Sequence, residues 1–71
     1  MTLQDIVNID DFIDAKQTQY AQGLALNDSR ALLESSDELG NAFYLIGKKV
    51  LAGKWVQEYR RLLGNVLSAQ G

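Results

Sequence analysis

LGNAFYLIGKKVLAGKW, residues 39–55, is the stretch whose reading decides the architecture. Its apolar residues fall on two helical faces. Leu39, Ala42, Phe43, Ile46 and Val50 share one face, and Leu32 lies upstream in the same phase. Leu33, Gly40, Tyr44, Gly47 and Leu51 share a second face, about 100° around the helix. A helix that is apolar over most of its circumference packs on two sides and is therefore central. Gly40 and Gly47 lie two turns apart on the second face. Each costs about 1 kcal/mol relative to alanine inside a helix. Close approach of another backbone would account for them, and so would simple tolerance of the helix.

Upstream, Asn27-Asp28-Ser29 punctuates the chain, because all three side chains bond nearby backbone groups and favour turns and caps. Asp28 is a suitable N-cap. Ser35 with Glu38 three residues later is a competing start of the capping-box type. The shared phase of Leu32 with Leu39 decides against a break at Ser35. One helix is expected from about Ser29 to Ala52.

Downstream, Trp55, Val56, Tyr59, Leu62, Leu63, Val66 and Leu67 form a wide apolar face, with Gln57, Glu58, Arg60, Arg61, Asn65 and Ser68 opposite. This face and the main face of the preceding helix are nearly opposed on one straight helix. A turn near Gly53 and Lys54 reconciles them, with Gly53 as the left-handed residue after the helix. If Gly53 is helical instead, Gly40, Tyr44, Gly47, Leu51, Trp55, Tyr59, Leu62 and Val66 form one stripe, and the molecule is a hairpin with one very long arm. The first helix is expected from about Leu3 to Ala25, capped by Thr2. Asn8 is a competing start that places Asp10 and Asp11 at the positive end of the helix dipole. Its stripe is Ile6, Ile9, Ile13, Tyr20 and Leu24, interrupted by Lys16 and Gln17. The stem of Lys16 is expected along the core edge with its amine in water.

The fold expected is thus all-α: a small three-helix bundle of one domain spanning residues 1–71, or the two-helix hairpin. The chain has no cysteine, histidine or proline. Disulfides, thiolate chemistry, imidazole chemistry and the commonest metal ligands are excluded. A chain of this length buries about 60% of its unfolded surface, so oligomerisation or a partner is the remaining route to stability. No stretch reaches the roughly 18 apolar residues of a membrane helix and no secretory signal is evident, so a cytoplasmic location is expected.

Charge is segregated. Residues 1–38 carry eight acids and two bases, and residues 39–71 carry one acid and five bases. This pattern suits antiparallel packing within the chain or between two copies.

Catalytic chemistry finds no foothold. The serines have no histidine to activate them. Asp10, Asp11 and Asp14 read as a solvated helix start, not a metal patch. Asp28-Ser29 resembles the attachment dipeptide of acyl carrier proteins, but Arg30 stands where they have leucine, and it reads as a helix start. Leu39-Gly40-Asn41-Ala42-Phe43-Tyr44 with Gly47 and Ala52 resembles the start of a tetratricopeptide repeat. Val56 and Tyr59 depart from its aromatic and alanine positions, the terminal proline is missing, and the match occurs once over half the chain. The resemblance implies a tight helical hairpin around Gly47 to Gly53. The function expected is a non-enzymatic protein–protein interaction module without cofactor, metal or small-molecule substrate. It would be an adaptor, chaperone-like cofactor or regulatory subunit, acting as a homodimer or with a protein partner and away from membranes. Interface candidates are Leu33, Gly40, Tyr44, Gly47, Leu51, Trp55, Tyr59 and Leu62. The alternative is a nucleic-acid-binding regulator using Lys48, Lys49, Lys54, Arg60 and Arg61. These residues scatter around the helix, which makes nucleic acid the weaker partner.

Overall fold

The structure is a computed structural model that describes the backbone of residues 7–70 and the side chains of residues 7–68. Among the described residues it is all-α, with three helices: α1 (Ile9–Leu26), α2 (Ser29–Leu45) and α3 (Lys49–Gln70). Asn8 sits at the N-cap of α1, with Asp10 and Asp11 in the first turn, so the competing start is the observed one. The expected cap Thr2, the helix start at Leu3 and the stripe residue Ile6 lie outside the described residues.

Both turns have the same construction. Asn27 adopts the left-handed conformation (φ 53°), the Asp28 N–H donates to the Gly23 carbonyl at 2.9 Å, and the Asn27 N–H donates to Leu24 at 3.4 Å. Gly47 is left-handed (φ 80°), the Lys48 N–H donates to Phe43 at 2.9 Å, and the Gly47 N–H donates to Tyr44 at 3.1 Å. This paired bonding is the Schellman ending, which satisfies carbonyls the last helical turn leaves free. Asp28 then caps α2, its Oδ1 accepting from the Ala31 N–H at 3.2 Å. The competing start at Ser35 is absent. Ser35 and Ser36 are buried mid-helix, their hydroxyls donating back to the carbonyls of Ala31 (2.6 Å) and Leu33 (3.1 Å).

The break between α2 and α3 falls at Gly47, not at Gly53. Gly53 is helical, and a Cβ there would meet open space, so nothing local excludes it from a helix. The early turn sets Ala52 of α3 against Leu39, Ala42 and Phe43 of α2 in one buried cluster with Ile13. It also rules out the long-armed hairpin. The Gly40–Gly47 pair therefore splits into two roles. Gly40 is a close-approach site: a Cβ there would lie 3.2 Å from Val56 Cγ2 and 3.7 Å from the Ala52 carbonyl oxygen. Gly47 supplies a conformation that side chains resist. Val50, expected on the main face, is 77% exposed, because the turn removes it from the phase of α2.

Helix α2 is central, as its two apolar faces require. It packs against both α1 and α3, whereas α1 and α3 do not approach at the level of the backbone among the described residues. Ile13, Leu32, Leu39, Ala42, Phe43, Ala52 and Leu62 are the buried apolar residues. On α1 the inward face is rotated from the expected stripe. Phe12 joins Ile9 against the core and Gly23 is buried, with Leu32 Cδ2 3.1 Å from where its Cβ would be, while Leu24 is exposed. Lys16 is half-buried, its Nζ 5.5 Å from the Phe12 ring centroid and donating to Gln19 Oε1 at 3.1 Å.

Candidate interaction surface

The eight interface candidates do not lie on one surface. Leu33, Gly40, Tyr44 and Tyr59 line a groove between α2 and α3, made of two depressions of about 430 and 590 Å³. One depression is bounded by Ser29, Arg30, Glu34, Asp37 and Val66, the other by Lys49, Ala52, Gly53, Val56 and Arg60. Gly40, where α3 approaches α2 closely, lines the larger of the two together with Val56. Val56, absent from the candidates, is 41% exposed here, and Tyr44 is 66% exposed.

Leu51 and Trp55 face a different neighbour. With Tyr20, Lys54 and Glu58 they line a separate cleft of about 280 Å³ between α1 and α3. The Trp55 ring meets the Tyr20 ring edge to face, with centroids 5.0 Å apart and planes at 83°. Arg61 forms an ion pair with Glu58 one turn away on α3. The Tyr20 hydroxyl is pushed above its ordinary pKa by burial and by the Glu58 carboxylate, with Arg61 opposing the shift. Leu62 is buried inside the chain's own core, and Gly47 forms the turn. Leu62 thus offers little area to another molecule, whereas Gly47 is exposed at the turn.

The five basic residues of the second half are also divided. Lys48 is exposed in the turn after Gly47, Lys49 and Arg60 edge the α2–α3 groove, Lys54 edges the α1–α3 cleft, and Arg61 is paired with Glu58. Among the described residues, no group of three or more acidic side chains gathers as a metal site, and no helix is long and apolar enough to cross a membrane.

No protein-family model matches the chain, and neither a curated protein nor a solved structure is significantly similar to it. The structural content of the repeat-like segment is present as the tight α2–α3 hairpin at Gly47.

Proposed function

We propose that the protein is a cytoplasmic, non-enzymatic protein–protein interaction module and that the α2–α3 groove is its docking surface. The observation that carries the reading is the pairing of an apolar groove floor with large exposed side chains, Tyr44 and Val56, on a fold without a covalent staple. Aromatic residues in such depressions contribute most of the binding energy at protein interfaces. Tyr44 and Tyr59 replace Trp55 and Leu62 as the proposed anchors, since Trp55 is engaged with Tyr20 and Leu62 is internal.

A photo-crosslinking residue at Tyr59 tests the reading, with one at Gln17, exposed on α1, as control. The expected result in host extract is a discrete protein adduct from position 59, none from position 17, and loss of the adduct when Val56→Asp is added. Equal labelling from both positions, or an adduct indifferent to Val56→Asp, overturns the groove as the docking surface.

A further inference from the structure

Charge in the larger depression of the groove selects what can occupy it. We infer that it binds an acidic amphipathic helix of a partner protein, with an apolar residue on Val56 and carboxylates reaching Lys49 and Arg60. The inference rests on the groove being a docking surface, as proposed above.

Lys49, Gly53, Val56 and Arg60 recur at intervals of four, three and four residues, so they form one stripe along α3. All four line the depression of about 590 Å³, and all four are exposed. The two cations stand at the ends of the stripe, eleven residues and about 16 Å apart at 1.5 Å per residue. Val56 lies between them on α3, and Tyr44 supplies an aromatic ring from α2. Among the described residues lining this depression there is no carboxylate. Glu34 and Asp37 line the neighbouring one instead.

Gly53 points to the same occupant. Glycine is the poorest helix former after proline. No neighbour among the described residues requires it at this position, since a Cβ there would meet nothing within 4 Å. Its missing side chain leaves the floor open between Lys49 and Val56, where an incoming apolar side chain can settle.

An apolar floor bracketed by two cations matches a helix with the reverse pattern: two acids ten or eleven residues apart, with apolar residues between them. Laid along the groove, such a helix seats its apolar residues in the depression, while the charge pairs at the rim fix its register. A basic helix is repelled at both ends. Nucleic acid fits the surface poorly, because its affinity comes from many phosphate contacts, and here two cations give way to Glu34 and Asp37. Those carboxylates also confine the acidic segment to about three helical turns.

Gln57 is exposed and lines the same depression, so it takes the photo-crosslinking residue. The peptide crosslinked in host extract is sequenced by mass spectrometry and is expected to carry two acids ten or eleven residues apart with apolar residues between. Its synthetic form, fluorescently labelled, is then titrated with the purified protein. Lys49→Glu with Arg60→Glu is expected to weaken binding at least about 10-fold. Changing the two acids of the peptide to lysine is expected to restore binding to that variant. Gly53→Leu, which suits a helix better than glycine, is expected to fill the floor and weaken binding as well. Circular dichroism checks that both variants remain helical. A crosslinked peptide without that acid spacing, an adduct removed by nuclease, an adduct to the protein's own sequence, or binding indifferent to the charge reversal would each overturn the acidic partner. If Val56→Asp abolishes the adduct while the charge reversal leaves it, the groove remains the docking surface and the acidic partner is excluded. No adduct from either position 57 or position 59 overturns the groove itself.

Discussion

Tyr20 and Trp55 join two helices whose backbones stay apart: their rings meet edge to face with centroids 5.0 Å apart. Helix α2 contacts both α1 and α3, so most of the core is organised by it. The orientation of α1 relative to α3 depends on this ring pair and on the Tyr20–Glu58–Arg61 group beside it.

Edge-to-face pairs contribute about 0.5–1.5 kcal/mol beyond the area they bury. In a double-mutant cycle of Tyr20→Leu and Trp55→Leu, urea denaturation is expected to give a coupling energy in that range, near 1 kcal/mol. Additive effects of the two changes would show that the rings do not hold the helices together.

Two glycines separate a turn from a helix interior, and alanine distinguishes them. Gly53 is helical with open space around it, so Gly53→Ala is expected to stabilise the protein by about 0.5–1 kcal/mol. Gly47 has φ 80°, so Gly47→Ala is expected to destabilise it by about 1–2 kcal/mol. Thermal unfolding of the two variants is the measurement. Opposite signs to these would move the break back to Gly53.

The start of α2 depends on one side chain. Asp28→Ala removes the acceptor for the Ala31 N–H and is expected to cost about 1 kcal/mol in chemical denaturation. Ser35→Ala, at the start the capping-box pattern favours, is expected to cost less than Asp28→Ala. Its hydroxyl bonds to a carbonyl of its own helix and caps nothing.

Alkaline pH is expected to weaken the α1–α3 link. Tyr20 has a raised pKa in the folded state, from burial first and Glu58 second, so folding favours the neutral phenol. Its contribution is fully present below the unfolded value, about 10, and is lost as pH rises through the higher folded value. The stability difference between the parent chain and Tyr20→Phe is therefore expected to hold constant from neutral pH to about 9 and to shrink above about 10. A difference that stays level through pH 11.5, above the ordinary tyrosine range of about 10, would show that burial and Glu58 together do not raise the Tyr20 pKa in the folded chain.

Local chemistry made part of this fold readable in advance. Asn27-Asp28-Ser29 announces a turn and a helix start because each signal acts over three or four residues, through one side chain and one amide. The shared phase of Leu32, Leu39, Ala42 and Phe43 announces a buried face, and all four are buried. The two-sided character of α2 follows from the same counting.

The interface candidates were less readable. A helical stripe records that a residue is apolar, not which neighbour it meets. Trp55 and Tyr59 lie four residues apart on α3, yet Trp55 faces Tyr20 of α1 and Tyr59 faces Leu33 of α2. Leu62 carries the same signal as both and is buried in the core.

The amino-acid sequence by itself determined an all-α chain, the start of α2 at Ser29 and the central place of that helix. Its residue types also left packing as the source of stability, since no cysteine or histidine is present. The tertiary structure alone decided between Gly47 and Gly53. Both glycines can end a helix, and no local interaction ranks one above the other. A turn at Gly47 sets Ala52 into the cluster of Leu39, Ala42 and Phe43 and lays Val56 across Gly40. Those contacts join residues distant along the helical path, so the choice belongs to packing between helices and not to the turn itself.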